Sequence, residues 1–88
     1  AVCTGDSYYE MGEYIVADRF YSMSLTRGSG IENPYVWYVK GRNLIKLGNK
    51  EEGVDALMRA YMLDGNKVFN TDKGEFLSYI EPYIGAEN

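Results

Sequence analysis

The chain has no histidine and a single cysteine, Cys3. Imidazole acid–base chemistry and histidine metal sites are therefore excluded, and no internal disulfide can form. A lone thiol without histidine is read as a packed or incidental side chain, and its presence mildly favours a reducing, cytoplasmic compartment. Long hydrophobic runs are missing as well: none approaches the roughly 18 apolar residues a membrane span requires. No cationic segment leads into an apolar stretch, so no secretory signal is read, and no membrane partner is expected. Ala1 in place of an initiator Met reads as the mark of a processed product or an excised piece.

Basic charge is also scarce. Nine Lys and Arg face thirteen Asp and Glu, a net charge of -4. A phosphate-backbone binder needs a basic face, so no nucleic-acid partner is expected. What is plentiful is apolar and aromatic: 45% hydrophobic residues, among them nine Tyr. That is the composition of a globular chain. At 88 residues it is one domain's worth, with a thin stability margin.

An internal repeat organises the sequence. Gly5 aligns with Gly41, Tyr8 with Leu44, Gly12 with Gly48, Ala17 with Gly53, Tyr21 with Leu57 and Ser24 with Ala60, each pair 36 apart. Glycine, small and large apolar classes recur in order. The second unit, 34–66, opens on Pro34 with Asn33 as N-cap. Val36, Trp37, Gly41, Leu44 and Leu47 follow at helical spacing, and Leu47-Gly48-Asn49 is a stop. A partner helix starts at Asn49 or Lys50, with Glu51 and Glu52 at its positive end, and runs to Asp64-Gly65-Asn66. The first unit, 1–33, has helices from Val2 to Met11 and from Glu13 to about Arg27, and it ends in the Gly28-Ser29-Gly30 loop.

The last part, 67–88, leaves the register. Lys67 to Asn70 reads as a turn that tucks Val68 and Phe69 inward. A capping helix is expected from Asp72, with Phe76, Leu77, Ile80, Tyr83 and Ile84 on one face. Pro82 should end or kink it near Ile80. The predicted fold class is all-α: antiparallel helix pairs, about five helices.

The segment from Trp37 to Gly53, followed by Ala56 to Asp64, resembles a tetratricopeptide (TPR) motif. Trp37, Gly41, Leu44, Leu57 and Ala60 match its signature by identity or class. Lys40 stands where Leu is usual, Gly53 replaces Ala, and Gly65 replaces the terminal Pro. The resemblance covers residues 1–66 and implies a curved α-solenoid whose first helices line a concave face. It also implies a protein-interaction module that binds a peptide or helix of a partner, with no enzyme activity and no cofactor. By that geometry the face carries Asp6 and Tyr9 from the first unit, and Tyr35, Tyr38, Arg42, Ile45 and Lys46 from the second. Cys3, Glu10 and Val39 fall beside them. The face is expected to be acidic near Asp6 and basic near Arg42 and Lys46. It would suit a peptide with an apolar anchor and an acidic group. The chaperone-clamp subtype is rejected, since Val2 and Asp6 stand where Lys and Asn are needed.

Other chemistry is weakly represented. Asp6 with Glu10, and Glu51 with Glu52, read as solvated helix surface rather than a metal site. The Gly28-Ser29-Gly30 loop lacks the Lys-Ser or Lys-Thr of a phosphate cradle. The rival to peptide binding is a structural role: homodimerisation through exposed repeat faces around Val2, Tyr9 and Tyr14, or service as an end piece of a longer scaffold.

Overall fold

The computed structural model describes residues 2–26, 32–72 and 74–84, with the side chains of residues 2, 3, 71 and 72 outside that description. The Gly28-Ser29-Gly30 loop, the Arg27 helix end and the Cys3 side chain therefore lie outside the described residues. The described chain is all-helical, with no strand. Its α-helices are α1 (Val2–Glu10), α2 (Tyr14–Thr26), α3 (Pro34–Lys46), α4 (Lys50–Asp64) and the short α5 (Glu81–Ile84). None of the described helices is long and apolar enough to cross a membrane.

Both corners are built alike. After α1, Gly12 at φ 81° donates to the Tyr9 carbonyl at 3.0 Å, and Glu13 donates to Tyr8 at 2.8 Å. After α3, Gly48 at φ 92° donates to Ile45 at 3.1 Å, and Asn49 donates to Leu44 at 2.9 Å. This two-bond cap satisfies the last carbonyls of each helix and needs a left-handed residue, which glycine supplies without Cβ strain. The same bonds thus recur 36 residues apart. The α3 start is capped as expected, with the Asn33 side chain accepting from the Tyr35 N–H at 2.9 Å and Pro34 in the first turn.

Helix contact depends on missing side chains. A Cβ on Gly41 would lie 2.9 Å from the Gly53 carbonyl oxygen, and one on Gly53 would lie 2.9 Å from the Gly41 oxygen. The two glycines let the α3 and α4 backbones meet. Lys40 makes a polar cross-link: its Nζ donates to Asp18 at 3.0 Å and to the Ser22 hydroxyl at 2.9 Å, joining α3 to α2. Asn43 is fully buried and donates from Nδ2 to the Tyr14 carbonyl at 2.8 Å.

The C-terminal part departs from the expectation. Val68 and Phe69 are buried, as the turn reading requires, but they belong to a 3-10 helix, Lys67–Asp72. Among the described residues from Asp72 to Ile80 there is no α-helix. Gly74 turns the chain at φ 82°, and a second 3-10 turn, Leu77–Tyr79, follows. The bonds advance by three residues, as from Leu77 to Gly74 and from Ile80 to Leu77. Pro82 does not end a helix. It sits in the first turn of α5, where a missing N–H costs no intrahelical bond. Phe76 and Ile80 are buried in the core, whereas Tyr83 is 61% exposed rather than on the buried face.

Candidate functional site

The polar centre of the molecule lies between α1, α2 and α3, and it starts from a gap. Gly5 has no side chain, and a Cβ there would lie 2.7 Å from Cε1 of Tyr21. The Tyr21 ring from α2 fills that gap, fully buried. Its hydroxyl thereby reaches the next residue of α1 and donates to Asp6 Oδ1 at 2.6 Å. From α3, Tyr35 donates to Asp6 Oδ2, also at 2.6 Å. Arg42 brings its guanidinium to 3.9 Å from Asp6 Oδ1. Arg42 and Tyr35 stand seven residues apart, two helical turns on one face of α3.

Aromatic rings enclose the guanidinium. Arg42 Cζ lies 4.0 Å from the centre of the Tyr9 ring, a cation–π contact, and 5.9 Å from that of Tyr38. Tyr9 stands three residues after Asp6 on α1, on the same face, and packs edge-on against Tyr14 at 5.5 Å. The Asp6 side chain is 28% exposed and that of Arg42 12%, so solvent reaches the cluster from the Asp6 side.

The hydroxyl hydrogen bonds to Asp6 are short because their acceptor is a carboxylate. Burial, and then the Asp6 carboxylate, raise the Tyr21 pKa well above the ordinary tyrosine value. Tyr21 is thus held as a hydrogen-bond donor. The cluster is a set of donors organised on one carboxylate.

Asp6, Tyr9, Tyr35 and Arg42 are therefore brought together, while Tyr38 borders them only from the buried side. Tyr38 is a correction: it is fully buried, not presented to a partner. Its ring meets Phe69 edge-on at 5.1 Å and Phe76 at 6.3 Å, because the C-terminal segment covers that part of α3. Its hydroxyl has no hydrogen-bond partner among the described residues. Val39 is fully buried too. Ile45 is half-buried and used for packing, with Cγ1 only 2.7 Å from where a Gly53 Cβ would be. Lys46 is exposed at the end of α3, one turn beyond Arg42. The expected division into an acidic and a basic zone is also corrected, since Asp6 and Arg42 face each other within one cluster.

Sequence reasoning missed Tyr21 as a member and read it only as a large apolar position of the repeat. A signal existed: Tyr21 occupies the place that Leu57 fills in the second unit, so it brings a hydroxyl to an otherwise apolar position. Asn43 carried no comparable signal.

A second surface lies on the opposite edge of α3. Trp37, Met58, Met62 and Leu63 line a shallow groove with Asp55 and Arg59. Met62 is 78% exposed and Leu63 47%. The Arg59 guanidinium lies 5.0 Å from the Trp37 ring, and its Nε is 3.2 Å from Asp55.

Among the described residues, no group of three or more Cys, Asp or Glu side chains is placed to hold a metal ion. No family model matches the chain, and neither a curated protein nor a solved structure was found to match it.

Proposed function

We propose that the chain is a TPR-like protein-interaction module whose first helices, α1 and α3, present a binding face for a peptide or helix of a partner protein, in the cytoplasm. The face centres on Asp6, Tyr9, Tyr35 and Arg42, with Lys46 at its far end. One observation carries this reading: the four side chains come from two helices far apart in sequence and converge on one partly exposed patch. The matched glycine caps at Gly12 and Gly48 support the repeat on which the reading rests. Tyr and Arg dominate binding energy at interfaces because they combine a large apolar area with directed hydrogen bonds. An extended or helical peptide with an apolar anchor and an acidic group fits this chemistry. Tyr38 has no direct part in it.

The test is selection of a random peptide library against the intact chain. Peptides should be enriched, and their affinity should fall about tenfold with Tyr9→Ala, a loss of roughly 1.4 kcal/mol. No enrichment, or binding indifferent to Tyr9 and Arg42 substitution, contradicts the reading.

The groove at Trp37, Met58, Met62 and Leu63 favours a second reading, self-association, because large apolar side chains stand exposed there. Sedimentation across concentration separates the two. A dimer dispersed by Met62→Lys supports assembly, and a monomer at all concentrations supports peptide binding.

A further inference from the structure

Tyr21, Tyr35 and Arg42 converge on a single carboxylate, that of Asp6. Two phenols donate at 2.6 Å to different oxygens of one carboxylate, and a guanidinium stands 3.9 Å from one of those oxygens. The donors also have contacts other than those to Asp6. Tyr21 is fully buried in the core, and Tyr35 follows the capped start of α3. Arg42 is held under the Tyr9 ring. Asp6 itself arrives on α1, a helix of nine residues, and its side chain is open to solvent by 28%. The helix itself is held to α2 by packing that does not involve Asp6, including the Tyr8–Phe20 ring stack at 5.6 Å and Tyr21 against Gly5, so exchange requires rotation of the Asp6 side chain toward its open side and not displacement of α1.

We propose that Tyr21, Tyr35 and Arg42 are a carboxylate-binding site, that Asp6 is its resident intramolecular occupant, and that an acidic side chain of a partner peptide exchanges with Asp6. This deepens the proposed binding face and rests on it for the identity of the ligand, although the site itself does not require a peptide to be detected. Exchange gives the face a threshold. A tethered group competes at an effective concentration of order millimolar or above, so only a ligand with further contacts, such as those to Tyr9, displaces it.

The experiment removes the occupant and supplies a free one. Asp6→Ala is titrated with sodium acetate, with sodium chloride at matched ionic strength as control, and thermal unfolding is followed. Acetate should stabilise Asp6→Ala saturably, at a concentration at least tenfold lower than any effect on the unsubstituted chain. The effect should be lost when Tyr35→Phe or Arg42→Gln is added. If Asp6→Ala does not fold in chloride, recovery of the fold in acetate supports the site equally. Equal responses to acetate and chloride, a response unchanged by Tyr35→Phe and Arg42→Gln, or failure of both Asp6→Ala and Asp6→Ser to respond would overturn it. Acetate rescue with no peptide enrichment would leave the site standing and remove the peptide-binding face. Peptide enrichment without rescue would do the reverse.

Discussion

Tyr35 donates to Asp6 at 2.6 Å and so ties the first turn of α3 to the middle of α1, 29 residues earlier in the chain. Tyr21 makes the matching bond from α2. One carboxylate thus links three helices. The two hydroxyl bonds should be coupled. Tyr35→Phe is expected to cost about 1 kcal/mol, and Asp6→Ala roughly 2–3 kcal/mol, since the latter leaves several donors without their acceptor. Urea unfolding of both variants and of the double variant gives the cycle. The double variant should be less destabilised than the sum. Strict additivity would mean the bond is not formed in solution.

Gly53→Ala is expected to destabilise despite alanine's better helix propensity. The propensity gain is about 1 kcal/mol. Against it, the new Cβ would meet the Gly41 carbonyl oxygen at 2.9 Å and the Ile45 side chain at 2.7 Å. Ile45 can rotate, but the backbone oxygen cannot yield without parting α3 from α4. Overpacking of this kind costs about 1–3 kcal/mol, so the net loss should be up to about 2 kcal/mol. A gain in Tm would show that the helices lie further apart than described.

Tyr38→Phe tests the correction to the binding face. The Tyr38 hydroxyl is buried without a partner among the described residues. Its removal should leave stability unchanged or raise it by up to about 1 kcal/mol, because a buried unmatched polar group is a cost. It should also leave peptide affinity unchanged. A loss of affinity would return Tyr38 to the interface.

Alkaline stability should depend on Tyr21. Its pKa is raised in the folded chain, by burial first and by Asp6 second. The folded state then holds a proton that the unfolded state releases above the ordinary tyrosine value of about 10. The stabilisation is complete below about pH 10 and is lost as pH rises through the higher folded value. Between pH 10 and 12, Tm should therefore fall more steeply for the unsubstituted chain than for Tyr21→Phe. Parallel slopes would contradict the buried donor role.

Much of this architecture was legible in the residues. Pro34 after Asn33 announced the start of α3, and Gly12 and Gly48 announced both corners, because those positions require particular backbone chemistry. The inward turn of Val68 and Phe69 was legible from their bulk. The path after them was not. Apolar spacing suggested one helix starting at Asp72, but Gly74 turns the chain at positive φ and three-residue turns bury Phe76 and Ile80.

The site was half legible for a related reason. The resemblance to a TPR motif implied a face on which Asp6 and Tyr9 stand with Tyr35 and Arg42. Spacing within a helix says nothing of what another segment lays over it. Tyr38 shares the face of Arg42 by periodicity, yet Phe69 and Phe76 cover it. Nor does periodicity reveal that an acidic and a basic residue on different helices neutralise each other.

The central claim is that the surface around Asp6, Tyr9, Tyr35 and Arg42 is where a partner binds. The most direct measurement is the amide NMR spectrum of the labelled chain titrated with a peptide selected against it. Shifts should concentrate between Gly5 and Glu10 on α1 and between Tyr35 and Lys46 on α3. Shifts confined to Met58–Leu63 on α4, with α1 unmoved, would contradict the account and assign recognition to the opposite groove.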